Sequence, residues 1–447
     1  MKRMLCWPLL VLLFLIVLGG SAAAQGSQQP APGDESVAPP AEPTTPGSTD
    51  NHTPGTATPL ACGVFVNDAI SAAGQKDWFK IETGATWSIV VTVNAYVNGS
   101  PLDAVLTLYD ENGTTVETKQ DDFNGLDPRL HWNTMLNTPG VGTGSRHYVQ
   151  VEDHDGDGSQ GGSTYTYAVK WEYARYIGMT TAGTVDGVAY QPGDILTWVG
   201  CGSNTHWEMF FDGSDVGLNG NLRDFAVLNG ERNSNYPSGT IIMAMDKQTL
   251  PFFGTVVAQD LVLFTVESYG ENTNGFFSRY FDGSDVGLTK GSETIDGVTA
   301  LGSGLLLSTT GKAALPPALV AADEDALYFD AGSYGTTTTG TWSMFFDGSD
   351  VGAGRGDLKS LHYSPADYLL ANFDRTLTLG NLTRTPDRVA ACDPGTWGTN
   401  TDCTWGVAHQ GLYDMDLAGA ILDGYDEGSH WWPVDNGVLA PDSSPVK

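Results

Sequence analysis

The sequence predicts an all-β protein in two parts, a jelly-roll-like sandwich followed by a domain of four similar β units, and three observations carry that prediction. Glycine is abundant, 56 of 447 residues, and charged residues make up only 17%, a composition that favours short strands and turns over helices. Between residues 59 and 172, short segments alternate apolar and polar positions and are separated by turn residues. Beyond residue 193 one phrase recurs as Phe211-Asp-Gly-Ser-Asp-Val-Gly217, as Phe281 to Gly287 and as Phe346 to Gly352, each preceded by Phe210, Tyr280 or Phe345. A repeat this close marks one structural unit used over again.

Residues 1–24 begin with Lys2 and Arg3, continue through an apolar run from Leu9 to Leu18, and end in Ala22-Ala23-Ala24. That layout is a signal peptide, and no later apolar stretch reaches the roughly 20 residues of a membrane span. Cys6 precedes the apolar run, so a lipid anchor there is not expected. The mature chain is therefore expected to be secreted, extracellular or attached at the cell surface. Residues 25–58 are Pro, Thr, Ser, Gly and Ala with scattered acids, too apolar-poor for a core, and read as a flexible tether.

A formal net charge of -32 and a pI near 4.2 set up a field that repels phosphate backbones and anionic lipid. Nucleic acid is a poor candidate partner on this ground and divalent cations are a better one, although solubility alone is the leading reading of the acidity.

Within 59–172 the strands read as Trp78-Phe-Lys-Ile81, Trp87-Ser-Ile-Val-Val-Thr-Val93, Ala104-Val-Leu-Thr-Leu-Tyr109, His147-Tyr-Val-Gln-Val151 and Tyr165-Thr-Tyr-Ala-Val-Lys-Trp171, with a turn at Asp110-Glu-Asn-Gly113. One local motif, Asp153-His-Asp-Gly-Asp-Gly158, fits the start of a calcium loop, because carboxylates at alternate positions (Asp153, Asp155, Asp157) converge on one hard cation. Thr164 stands where an EF-hand carries its bidentate Glu, so a solvated acidic hairpin is the competing reading. Asp121 and Asp122 would add ligands if the fold brings them near.

The order of landmarks resembles the bacterial pre-peptidase C-terminal domain: Lys76-Asp-Trp-Phe79, Pro101-Leu-Asp-Ala-Val-Leu-Thr-Leu-Tyr-Asp110 with Gly113, Asp121-Asp122, Tyr148-Val-Gln-Val151, then Gly161-Gly162 before Tyr165. The resemblance covers about a quarter of the chain and implies a jelly-roll-like sandwich, an accessory module of secreted proteins that is often attached to proteases. No protease domain is recognisable beside it.

Residues 173–193 read as a connector. The domain that follows, 194–437, opens each unit with an aspartate and an apolar strand: Asp194-Ile-Leu-Thr-Trp198, Asp260-Leu-Val-Leu-Phe264, Asp325-Ala-Leu-Tyr-Phe329 and Asp387-Arg-Val-Ala-Ala391, spaced by about 65 residues. An aromatic then leads into the repeated turn, and two more strands follow, for example Leu222-Arg-Asp-Phe-Ala-Val-Leu228 and Thr240-Ile-Ile-Met-Ala-Met245. Four strands per unit and four units suggest a small β-propeller or a related closed array. In the last unit the phrase becomes His409-Gln-Gly-Leu-Tyr413, without either acid, as a terminal or ring-closing unit would be. Residues 438–447 form a tail. The repeat phrase also resembles one in uncharacterised exported bacterial proteins and brings no activity with it.

The acids of the repeated turn, Asp212 with Asp215, Asp282 with Asp285 and Asp347 with Asp350, have two readings. Either they accept backbone hydrogen bonds within the turn while Val216, Val286 and Val351 pack inward, or they bind calcium. A disulfide is expected between Cys392 and Cys403, close in sequence across Pro394, Gly395 and Gly398, whereas Cys62 and Cys201 are left open.

No G-x-S-x-G, H-E-x-x-H, P-loop or Cys/His zinc spacing occurs. His206, His362, His409 and His430 specify no triad, and Trp397, Trp405, Trp431 and Trp432 are expected to pack in cores more readily than to stack on sugars. The function expected is non-catalytic, a binding or cell-surface interaction protein for an extracellular protein or glycan, with calcium ordering its acidic loops. The alternative is a secreted polysaccharide hydrolase or lyase that uses acids of the repeat domain.

Overall fold

In the segment Ser88–Asn94, Ile89, Val91 and Val93 face one core while Val90 faces another, so this strand is apolar on both sides. That is the sequence pattern of a strand buried between two layers. It places the junction between the two halves of the molecule. A computed structural model describes residues 50–83, 88–121, 126–133, 146–154, 160–202, 204–228, 239–364, 368–407, 422–427, 434–435 and 438–439, all within one compact unit that spans Thr44–Lys447. The expected signal peptide lies outside these residues, as does the tether up to residue 49 and the tail beyond residue 439.

Among the described residues the secondary structure is strands and short 3-10 turns, with no α-helix. The first half is a sandwich. One sheet runs in the order Thr58–Pro59, Asp77–Glu82, Arg146–Asp153, Ala104–Tyr109, Val116–Gln120. The facing layer holds Val66–Ala69, Thr166–Met179, Ser88–Asn94 and Arg129–Asn133. Phe79, Ile81, Leu106, Leu108, Val149 and Val151 of the first meet Ile89, Val91, Val169 and Trp171 of the second in one core. Strands Val66–Ala69, Val116–Gln120 and Arg129–Asn133 escape the sequence reading because each carries several polar residues.

Thr166–Met179 is one strand of 14 residues. Its first half pairs with Val66–Ala69 and Ser88–Asn94, and its second half pairs with Ile195–Cys201 on one side and Leu422–Glu427 on the other. The boundary read at residue 172 therefore falls inside a continuous ladder, and the segment 173–193 begins as strand. The alternating pattern of residues 165–171 does not continue past that point. That alternation ends because both faces of the strand are buried beyond Glu172, with Ala174 and Tyr176 in one core and Ile177 and Met179 in another.

Four antiparallel four-stranded layers make up the second half. The first joins Leu422–Glu427, the end of Thr166–Met179, Ile195–Cys201 and Asn204–Phe211. The second is Leu222–Val227, Ile241–Met245, Leu261–Ser268, Asn274–Phe281. The third is Ile295–Leu301, Gly304–Thr309, Ala326–Ser333, Thr339–Phe346. The fourth is Leu358–Ser364, Tyr368–Phe373, Ala390–Thr396, Asp402–Val407. The unit visible in the sequence is thus offset from the sheet by two strands: the repeated turn carries the chain from the last strand of one sheet into the first strand of the next. A short hairpin links the second and third strands of every sheet, such as Gln248–Leu250 with Gly254–Val256.

Separate cores fill the spaces between consecutive sheets. Phe210, Phe225, Met243 and Phe264 lie between the first and second; Ile242, Leu263, Leu305 and Phe329 between the second and third; Leu306, Phe346, Leu369 and Ala371 between the third and fourth. A further cluster packs Ile177, Leu196 and Trp207 of the first sheet on Tyr368, Leu370 and Val389 of the fourth sheet and its edge. The leading strands touch in the order Leu222–Val227, Ile295–Leu301, Leu358–Ser364, Leu422–Glu427, and the last also touches the first. Each has a bulge one residue in, between Leu222 and Asp224, Ile295 and Gly297, Leu358 and Ser360, Leu422 and Gly424.

Candidate functional site

The repeated turn is built the same way three times. Asp212 accepts the amide and hydroxyl of Ser214 at 2.9 and 2.7 Å, and Asp282 and Asp347 hold Ser284 and Ser349 likewise. The glycine amide of each turn (Gly213, Gly283, Gly348) donates to Asp194, Asp260 or Asp325, the aspartate that opens the same unit, at 2.9, 3.1 and 3.0 Å. A side chain at that glycine would collide with the backbone carbonyl of Gly193, Gln259 or Glu324, which is why the position is glycine. Burial raises the carboxyl pKa of Asp194, Asp260 and Asp325, and the backbone donors oppose it.

The second acid reaches across to the next unit. Asp215 accepts the amide of Thr273 at 2.9 Å, Asp285 that of Thr338 at 2.9 Å and Asp350 that of Thr401 at 3.0 Å. The same threonine hydroxyls accept the amides of Asp212, Asp282 and Asp347 and donate to the carbonyls of Gly270, Gly335 and Gly398. Those glycines in turn donate to Phe210, Tyr280 and Phe345, whose rings stack on Tyr269, Tyr334 and Trp397 with centroids 4.8, 4.5 and 4.8 Å apart. Each joint between sheets is therefore a clasp of Asp-Gly-Ser-Asp against aromatic-Gly-x-x-Thr. The second half of the clasp was legible as Tyr269-Gly270, Tyr334-Gly335 and Trp397-Gly398, each with a threonine three residues on, but its divergent loop residues hide it.

Both acids of each pair are thus hydrogen-bond acceptors for protein donors. Val286 is buried beneath its turn, and Val216 and Val351 are half-buried. The Trp405 and Trp342 indoles donate to the carbonyls of Val351 and Val286, which fixes these aromatics as packing elements.

Where the leading strands meet, Asp224 is fully buried and accepts Val298 N at 2.7 Å and Leu361 N at 3.3 Å on one oxygen and Ser360 Oγ at 3.1 Å on the other. Burial drives its carboxyl well above the usual range, against the pull of these donors. Beside it, Asp296 is pushed up by burial and by Asp357, while Lys359 lies 3.3 Å from Asp296 and 3.0 Å from Asp357. The carboxylate and its partners occupy the place where the four strands converge. Sequence reasoning missed this cluster, because nothing in Leu222-Arg-Asp-Phe225 marks its aspartate as interior.

At the sandwich, the candidate calcium residues are partly placed. Asp153 closes Arg146–Asp153, Asp121 follows Val116–Gln120, and His154 Nε2 sits 2.9 Å from Asp121 and its Nδ1 3.9 Å from Asp103. The ends of three neighbouring strands thus bring Asp103, Asp121 and Asp153 to one edge. Asp122, Asp155 and Asp157 lie outside the described residues, and among the described residues no group of three or more His, Cys, Asp or Glu has metal-site geometry. The landmark Asp77 is a core hub, buried and bonded by Tyr167 Oη at 2.8 Å and Gln75 Nε2 at 2.6 Å. Gly161 is required where a side chain would strike the Ala72 backbone.

Disulfides join Cys392 to Cys403 and Cys62 to Cys201, with Cα atoms 5.5 and 5.7 Å apart. The second ties the sandwich to the outer hairpin of the first sheet. His206 pairs with Glu208 at 2.8 Å and His362 is buried; His409, His430, Trp431 and Trp432 lie outside the described residues. No helix among the described residues is long and apolar enough to cross a membrane.

No family model matches the chain, and no curated protein matches it. Among solved structures it is similar to the pre-peptidase C-terminal domain of collagenase from Bacillus anthracis, at 13% identity over 26% of this chain and 93% of that one, with a TM-score of 0.20.

Proposed function

We propose that this chain is a secreted, non-catalytic binding or cell-surface interaction protein, in which a pre-peptidase-C-like sandwich is fused to a four-bladed β-propeller. The observation that carries the reading is the clasp: all six aspartates of the repeated turns are engaged as acceptors for backbone amides or serine hydroxyls. The residues that the repeat multiplies thus act as scaffold, and recognition falls to the variable surface around them. Four sheets with a core at each joint, and leading strands that touch in a cycle, support the propeller. The sandwich landmarks support the pre-peptidase-C assignment, and two disulfides together with the N-terminal layout of the sequence support export.

Calcium belongs to this proposal at the sandwich edge, with Asp121 and Asp153 joined by Asp122, Asp155 and Asp157, which follow them in the sequence. Calorimetric titration of the exported chain with calcium, paired with thermal melts in chelator, tests it. Binding with a raised Tm, abolished in Asp155→Ala with Asp157→Ala, is expected; no heat and no shift reduce the edge to solvated turns. A screen of the same protein against extracellular glycans and matrix proteins addresses the ligand. Release of reducing ends or unsaturated products from a polysaccharide would overturn the non-catalytic reading.

A further inference from the structure

Three joints between consecutive sheets carry the Asp-Gly-Ser-Asp clasp, and the sequence does not repeat it for the joint between the fourth sheet and the first. The phrase that would serve it, His409-Gln-Gly-Leu-Tyr413, has no carboxylate. The hairpin of the first sheet that would receive it differs from its counterparts. Cys201 pairs with Asn204 at the hairpin end, as Ser268 pairs with Asn274, Ser333 with Thr339 and Thr396 with Asp402, so the loop that runs from Tyr269 to Thr273, Tyr334 to Thr338 and Trp397 to Thr401 has no counterpart of that length here. Thr205 lies in the ladder opposite Gly200, as Gly275 lies opposite Val266, so it does not stand where Thr273, Thr338 and Thr401 meet the preceding turn. Where the others carry a ring that stacks on the preceding sheet and a threonine that meets its turn, the end of this hairpin carries Cys201, bonded to Cys62 of the sandwich.

The segment around Cys62 is itself fixed to the long shared strand. Gly63 N donates to Trp171 O at 2.9 Å, and the Trp171 indole donates to Leu60 O at 3.0 Å. Elsewhere in the sandwich, Arg129 pairs with Glu208 on the last strand of the same hairpin. The outer hairpin of the first sheet is therefore held from the sandwich side, whereas its counterparts are held by the preceding turn.

We infer that the Cys62–Cys201 disulfide, backed by the sandwich edge, is the latch of this seam and takes the place of the clasp that the sequence does not repeat for the fourth joint. The inference rests on the cyclic reading of the four sheets. On it, the sandwich is the device that keeps the first sheet in register while the last inner strand, Leu422–Glu427, adds to it.

Hydrogen exchange read by mass spectrometry on the full exported chain tests this, comparing wild type with Cys62→Ser/Cys201→Ser. Exchange across residues 195–211 and 422–427 is expected to rise about tenfold or more, while residues 261–281 and 326–346 keep their protection. Unchanged exchange at 195–211 overturns the latch, and so does an equal rise in all four sheets, since that is what a general cross-link of the unfolded chain produces. Failure of the cyclic reading looks different: residues 422–427 would then exchange freely in the wild type. Should the double variant not fold, folded protein of a Cys392→Ser/Cys403→Ser background is followed before and after a brief dithiothreitol pulse, on the same peptides and with the same expectations.

Discussion

Asp215, Asp285 and Asp350 each take the amide hydrogen of a threonine 58, 53 or 51 residues away, and these single bonds decide how the repeated acids are used. Thr338 is buried, so Asp285→Ala leaves its amide without an acceptor and should cost about 1–3 kcal/mol in urea unfolding. Asp285→Asn keeps an oxygen there and should cost less. Equal losses in the two variants would show that the bond is not what the acid contributes. Asp224 uses both oxygens for donors, so Asp224→Asn turns an amide group toward backbone N–H groups and should cost about 2–4 kcal/mol. Among the groups that burial shifts, His147 and Glu324 change stability with pH in opposite directions. Burial lowers the His147 pKa from 6.5 to about 4, so the neutral ring is favoured in the folded state. Its contribution is present above pH 6.5 and is lost as pH falls toward 4, and His147→Gln should flatten that limb. Glu324 runs the other way: burial and its bond with Asp323 raise it from 4.5 to about 7, so the folded state favours the protonated acid and loses stability as pH rises through that window. Glu324→Gln should therefore stabilise the protein at pH 8 by about 1 kcal/mol, a figure reduced for partial solvent access, and leave it unchanged at pH 4.

At the scale of the element, the two-strand offset between repeat and sheet has a direct consequence. The unit that opens at Asp387 supplies the third and fourth strands of the fourth sheet and, through Leu422–Glu427, the leading strand of the first. Removing residues 387–427 therefore damages two sheets at once, and thermal unfolding of the shortened chain should show the whole repeat domain lost. A native-like melt of the remaining sheets would argue for independent units. The offset also explains why the repeated phrase is so uniform. It must end one sheet, turn, meet the next unit's threonine and enter the bulge of the following strand, and few residues satisfy all four demands.

For the whole molecule, the long strand Thr166–Met179 and the disulfide from Cys62 to Cys201 make the sandwich and the first sheet one structure. His131 of the sandwich is bonded to Tyr176 at 2.9 Å, and its ring lies against Phe210 and Tyr269. A fragment ending at residue 172 would expose Val90 and lose half of its central strand. It should melt well below the full chain or fail to fold, whereas a fragment extended through the first sheet should recover; a stable 59–172 fragment would contradict this. The 139-residue separation of Cys62 and Cys201, against 11 for Cys392 and Cys403, makes the first bridge the stronger constraint on the unfolded chain.

By itself the sequence determined the β class, the strands whose side chains alternate, the repeated turn with its glycine, and the possible partner for Cys392, because each of these is written within a few neighbouring residues. Phe-Asp-Gly-Ser-Asp is a turn wherever it is placed. The tertiary structure decided what the second acid of that turn holds, since its partner lies more than fifty residues away in a loop of a different sequence. It also decided that the boundary at residue 172 is the middle of a strand, and that Asp224 is interior. Those outcomes depend on which sheets pack on which faces, and local hydrophobic pattern cannot distinguish a polar residue facing water from one facing a ring of backbone amides.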